Sequence, residues 1–212
     1  IVVAGGRGLE GDLTPVREKR GPARLLDMVE GRSKQVFKTW LEERSWAWRE
    51  RIEVVAMDGF TGFKTAAQEV LPDAVPVMDP FHVVQLAGDA LDRTRQRVQQ
   101  ETLGHRGRRG DPLYGVRRSL RTGEAFLTQK QHERLDAVFA DPAHADVWRA
   151  WRVYQQVVAA YRERFSGNGR RRLRELIDVV RATTPAWFVE LRKLGYTLER
   201  RRQDILAYFD HP

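Results

Sequence analysis

Residues 52–92 read IEVVAMDGFTGFKTAAQEVLPDAVPVMDPFHVVQLAGDALD. Two apolar runs, Ile52–Met57 and Val75–Met78, each end on an aspartate, Asp58 and Asp79. Five of the six residues of the first run are apolar, the pattern of a strand covered on both faces. Between the runs, residues 60–71 read as a helix stopped by Pro72. Asp79-Pro80 opens a further helix, since Asp is a good N-cap and Pro suits the first turn. Upstream, ARLLDMV at 23–29 reads as another strand, and Ser33 caps a helix running to about Glu43. This alternation predicts a parallel α/β unit over Ala23–Leu91. In open α/β folds, ligands and metals bind at the C-terminal ends of the strands. Two carboxylates held there can share a divalent cation.

Each aspartate also has a plainer reading. Gly59 permits a tight exit and close approach of a ligand after Asp58, yet an Asp that follows a strand is also a common N-cap for the next helix. Asp79 fits the capping role well because of Pro80. His82 falls in the first turn of the same helix, where a histidine serves packing or hydrogen bonding as readily as metal binding.

Other chemistries find little support. The glycines at 5, 6, 8 and 11 are followed by no Gly-Lys-Ser/Thr, and they do not match the spaced glycines of a dinucleotide site. Neither a Gly-x-Ser-x-Gly elbow nor a His-Glu-x-x-His pair occurs. Cysteine is absent, which excludes disulfides and thiolate metal sites and fits a reducing cytoplasm. No run approaches the ~18 apolar residues of a membrane span, and Ile1–Gly11 does not read as a signal peptide.

The 212 residues can bury one α/β core plus a helical annex. Thirty-seven basic residues against 29 acidic ones give a net charge of +8, which favours a polyanionic partner. Most of the basic residues are arginines, whose forks grip phosphate in a bidentate manner. A GC-rich genome would raise the arginine count too, so clustering is the better guide. Arg93, Arg95 and Arg97 form one cluster; Arg106, Arg108 and Arg109, beside His105, form a second; Arg117, Arg118 and Arg121 form a third. Arg170, Arg171, Arg172 and Arg174 follow a Gly-Asn-Gly turn, and Arg200, Arg201 and Arg202 come last. Each cluster also reads as a solvated helix face. From Arg93 onward the strands stop, and helices are expected over 112–121, 128–139, 143–165, 169–182 and 185–209. Trp148, Trp151, Tyr154, Val158 and Tyr161 lie at helical spacing and predict a buried stripe.

VVAMDGFTGF (54–63), LPDAVPVMDPFHVVQLAGDALDRTRQRVQQETLGHRG (71–107) and DPLYGVRRSL (111–120) resemble the insertion-sequence transposases of the ISL-three type, especially actinobacterial ones. The pattern D-x-F-H-V-V-x-L-x-x-x-A-L-D, starting at Asp79, is specific; GRSKQVFKTWL (31–41) and QDILAYFDHP (203–212) fit the same family. The resemblance implies a bacterial DDE transposase that cuts and joins DNA with Mg²⁺. The implied fold is α/β: a partial RNase H-like catalytic core, a mixed sheet with flanking helices, over 1–92, then an α-helical insertion over 93–212. On it, Asp58 corresponds to the second catalytic carboxylate and a metal ligand. Asp79 and His82 support the site, with Asp79 a second candidate catalytic residue. DNA is the implied partner, bound by the arginine clusters at 93–97, 106–109, 117–118 and 170–172, and a homo-oligomer is implied for the intact enzyme. The family's first Asp and its Glu are expected upstream and downstream of this stretch, and Asp12 is a poor substitute for the first. The chain is therefore expected to be a partial transposase, inactive as it stands. A DNA-binding remnant whose aspartates only cap helices, or a metal-dependent nuclease of similar fold, are the alternatives.

Overall fold

The computed structural model describes residues 2–5 and 25–211. The apolar run after Arg51 forms the central strand of the sheet, β2 (Ile52–Met57). Its Ile52, Val55 and Met57 are buried. On one edge it pairs in parallel with β3 (Val75–Met78), in the register Val54 with Val75 through Met57 with Met78. On the other edge it pairs antiparallel with β1 (Val2–Gly5). The sheet order is β1-β2-β3, so the architecture is mixed α/β and mostly helical.

Two helices cover this sheet. Helix α1 (Lys34–Glu42) starts where Ser33 accepts the Val36 N–H, and it buries Leu41. A single turn, α2 (Trp46–Arg49), follows on a Ser45 cap, and α3 (Thr61–Val70) joins β2 to β3. Leu41, Ile52, Val55, Met57, Ala67 and Leu71 form the core, with Phe37, Trp40, Trp48 and Phe63 packed against it.

The strand expected over 23–29 is a correction. Residues 25–29 are irregular, and Leu25, Leu26, Met28 and Val29 are exposed. The segment is tied instead by Asp27, whose carboxylate accepts the Trp40 indole N–H at 2.7 Å and pairs with Arg44 at 3.1 Å. The sheet's third strand is β1, so it is mixed and not wholly parallel. The glycines beyond Gly5, Asp12 and residues 23–24 lie outside the described residues.

The chain divides into two compact units: residues up to Asp79 together with Gln203–His211, and Pro80–Arg202. The helical unit is therefore inserted, in chain order, within the α/β unit. Helix α4 (Pro80–Leu103) runs unbroken through position 92. After two short turns, α5 (Pro112–Gly115) and α6 (Arg117–Leu120), come α7 (Gln129–Phe139), α8 (Ala145–Arg162), α9 (Ser166–Thr183) and α10 (Val189–Arg200). Helices α4, α8, α9 and α10 contact one another in cyclic order, as a four-helix bundle does. Leu91, Val98, Val147, Tyr154, Ile177 and Leu198 are among its buried residues.

The expected aromatic stripe is buried at Trp151 and Tyr154, whereas Trp148 is 45% exposed. Residues 166–169, expected to break the chain, form the first turn of α9. The closing helix α11 (Arg202–Ala207) brings Asp204 back to the α/β unit, where Lys64 of α3 reaches it at 2.8 Å.

Candidate functional site

The parallel pairing of β2 and β3 sets the position of the two aspartates. Met57 lies opposite Met78, so Asp58 and Asp79 each follow the last paired residue of adjacent strands. The ladder continues one step further, because the Asp79 N–H donates to the Met57 carbonyl at 2.9 Å. Adjacent strands lie about 4.8 Å apart, so the two aspartates leave the sheet side by side. Both are partly buried.

The turn after Asp58 is shaped by its own residues. Asp58 Oδ1 accepts the Phe60 N–H at 3.0 Å, which closes a short Asp turn at the entry to α3. The Phe60 ring folds back over Gly62, where a β-carbon would lie 2.4 Å from Phe60 Cε1. It then meets Phe63 edge-on at 4.8 Å. The repeated glycine and phenylalanine of DGFTGF thus pack against one another directly after the aspartate's turn.

The donor chemistry of this edge is that of hard carboxylate oxygens, which suits Mg²⁺. A two-metal centre needs several carboxylates, and among the described residues no group of three or more Asp, Glu, His or Cys side chains is placed to hold a metal. The described residues do not compose a complete two-metal site. His82 lies half-buried in the first turn of α4.

The sequence matches a family described as transposase, of the ISL-three type, over residues 9–212. The chain belongs to this transposase family. No curated protein and no solved structure matches it.

The arginines of the transposase's helical unit separate by their surroundings. Arg93, Arg106, Arg108, Arg109, Arg118, Arg171 and Arg172 are exposed; of these, Arg172 pairs with Glu163 at 3.0 Å. The Arg117 guanidinium lies 4.0 Å over the Tyr114 ring and donates to the Tyr114 carbonyl. Arg170 is half-buried.

Two arginines expected to meet DNA are placed otherwise. Arg95 is buried and donates to Gln99 one helical turn on. Arg97 reaches Asp146 at 3.0 Å, Glu190 at 2.9 Å and Glu101 at 3.0 Å, and so ties α4 to the first turns of α8 and α10. Burial pulls its basicity down, but the three carboxylates more than reverse this, and the guanidinium is held above its ordinary value. Arg121 is likewise occupied, by Asp89 at 3.4 Å and Asp92 at 3.3 Å, with its guanidinium filling the space beside Gly88. Sequence clustering could not separate these roles, because Asp146 and Glu190 lie 49 and 93 residues from Arg97. Among the described residues, no helix is long and apolar enough to cross a membrane.

Proposed function

We propose that this chain forms part of the catalytic region of a transposase that cleaves insertion-sequence DNA and joins it to a target, on an RNase H-like core. The observation that carries this reading is the side-by-side exit of Asp58 and Asp79 from adjacent parallel strands. Asp58 is the metal-binding catalytic carboxylate. Asp79 stands next to it as a second candidate ligand, and His82 supports the site.

When bound, Mg²⁺ supplies charge neutralisation at the phosphodiester and a more acidic attacking water or hydroxyl. Of the residues described, the DGFTGF turn fixes where the Asp58 carboxylate sits, and the ladder bond at Asp79 fixes the neighbouring strand end. The remaining carboxylates of the centre lie outside the described residues. The exposed arginines of the helical unit hold the phosphate backbone, independent of sequence. The intact enzyme acts as a homo-oligomer on paired transposon ends.

The deciding experiment is a Mg²⁺-dependent strand-joining assay on the transposase and on its Asp58→Asn variant, with this chain alone run in parallel. Joining is expected from the transposase, and neither from the variant nor from the isolated chain. Full joining by the variant would overturn the role of Asp58; joining by the isolated chain would overturn the incomplete centre. A second reading, in which the aspartates are only structural, draws on the Asp58 to Phe60 hydrogen bond, which closes the turn ahead of the Phe60 N-cap of α3, and the same variant separates the two. Asn preserves that hydrogen bond and removes only the charge.

A further inference from the structure

We propose that Arg181, Arg192 and Tyr196, on the α9–α10 face of the helical unit, form a site for a backbone phosphate of DNA. This rests on the reading of the transposase as a DNA-binding protein, and it adds a site outside the arginine clusters that the sequence displays.

Several arginines of this unit are held by carboxylates. Arg97 meets three, and Arg121 and Arg202 meet two each. Arg181 and Arg192 differ, because no carboxylate pairs with either among the described residues. Both instead converge on one phenol. The Arg181 guanidinium lies 4.0 Å over the Tyr196 ring, and Arg192 sits one helical turn before Tyr196 on α10. Tyr196 is 52% exposed, so two unneutralised cations and a hydroxyl meet at a surface that solvent and ligand reach.

The packing of α9 on α10 builds this convergence. A β-carbon at Gly195 would lie 3.0 Å from Val180 Cγ1 and 3.4 Å from Arg181 Cδ. Glycine there lets the helices close up, so that the Arg181 stem runs beside α10 and its head covers the tyrosine. The guanidiniums of Arg192 and Arg181 beside it hold the Tyr196 phenol below its ordinary value. Surroundings that favour a phenolate oxygen favour any oxyanion at that point, by the same electrostatics.

Phosphate is the anion this geometry suits. Guanidinium forks match its oxygens in pairs, and tyrosine hydroxyls and arginines are regular donors to DNA phosphates. Arg192, Tyr196 and Arg200 also recur every fourth residue along one face of α10, about 6 Å apart. Arg200 is exposed, so the stripe offers cationic contacts beyond the first phosphate.

The test measures binding of the chain to a labelled DNA duplex by fluorescence anisotropy across a salt series. Wild type, the double variant Arg181→Ala/Arg192→Ala, and Tyr196→Phe are compared, with circular dichroism confirming their folds. Loss of this phosphate contact is expected to make the slope of log K against log salt shallower by about 0.9. Tyr196→Phe should weaken binding several-fold with the slope unchanged, because the hydroxyl is a neutral donor.

In parallel, the Tyr196 ring is followed by NMR during a pH titration with and without inorganic phosphate. Bound phosphate is expected to raise the titration midpoint. An unchanged salt slope, with no effect of phosphate on Tyr196, removes the site while leaving DNA binding by other arginines intact. Failure of the wild type to bind DNA at any salt, with phosphate still shifting Tyr196, overturns the DNA reading and keeps the phosphate site. Tighter binding of a poly-glutamate peptide than of the duplex, lost in the double variant, assigns the face to an acidic protein and overturns the proposal.

Discussion

Asp79 donates its backbone N–H to the carbonyl of Met57, the residue before Asp58, at 2.9 Å. This one bond carries the β2–β3 ladder past its last side-chain pair and brings both aspartates out of the sheet at the same level. Its consequence is a pair of clean substitutions. Asn equals Asp as a helix cap, so Asp58→Asn and Asp79→Asn keep the local hydrogen-bonding capacity and remove the charge. Strand joining by the transposase should fall more than about a hundredfold in Asp58→Asn, at least the cost seen for groups just outside a metal's ligands. Melting temperature should stay within a degree or two of wild type. Equal loss in Asp79→Asn makes it a ligand; retained activity leaves it a cap.

Gly62 tests the turn that aims Asp58. A β-carbon there collides with the Phe60 ring at 2.4 Å, and that ring must leave its edge-on contact with Phe63. Such a contact is worth about 0.5–1.5 kcal/mol. Alanine recovers roughly 1 kcal/mol of helix propensity over glycine, so the two effects nearly cancel. Gly62→Ala should therefore change urea stability by less than about 1 kcal/mol. Activity should drop at least tenfold, because the exit of the chain from β2 shifts. Unaltered activity would mean that the turn does not aim the carboxylate.

Lys64 and Asp204 join α3 to the chain's return through α11. Asp204 is 2% exposed and its partner ammonium lies 2.8 Å away. Removing one member of a buried pair leaves the other charged without compensation, at a cost of about 3–5 kcal/mol. Lys64 is partly exposed and Asp204 has a further interaction, so Lys64→Met should cost about 2–3 kcal/mol in urea unfolding. Asp204→Asn in the same background should recover much of it. No recovery would show that packing, not charge, is lost.

Arg97 gives the equivalent test in the helical unit. Its fork holds carboxylates on α4, α8 and α10 at once, which a lysine cannot reproduce. Arg97→Lys should lower the helical unit's stability by about 1–2 kcal/mol, and Arg97→Ala by about 3 kcal/mol, since Glu190 then loses its partner and Asp146 keeps only Arg149 at 3.5 Å. The salt dependence of DNA binding should not change in Arg97→Lys. A shallower salt slope would mean that Arg97 also touches phosphate.

The residues explain what was legible beforehand. Strands β2 and β3 were readable because each is a short apolar run closed by Asp, and their parallel direction then followed from the helix between them. Residues 25–29 misled because an apolar composition alone does not make a strand. Asp27 draws the segment to Trp40, and its apolar side chains remain in solvent. The Ser-Gly-Asn-Gly at 166–169 reads as a turn by propensity, yet it forms the first turn of α9, with Gly169 buried. The arginines were hardest, since a guanidinium's role depends on carboxylates distant in sequence. Arg95, Arg97 and Arg93 look alike on the page and differ only in what the folded chain puts beside them.

Acid should act on both units through exposed carboxylates held below their ordinary values. Asp27 is lowered chiefly by the Trp40 indole N–H, Glu69 by Lys34 and then Lys38, and Asp178 by Arg202. A folded value below the unfolded one means that the folded state binds protons less tightly. The stabilisation is present above the unfolded values, 3.8 for Asp and 4.5 for Glu, and is lost as pH falls through the lowered folded ones. Melting temperature should thus be flat from neutrality down to about pH 5 and decline below it. The partners predict how salt divides this decline. The Glu69 and Asp178 contributions come from charged donors and shrink at high salt, whereas Asp27 relies first on a neutral indole. Trp40→Phe should therefore remove a salt-resistant part of the acid transition. If high salt alone abolished the whole transition in the wild type, the Trp40 to Asp27 hydrogen bond would have no part in it.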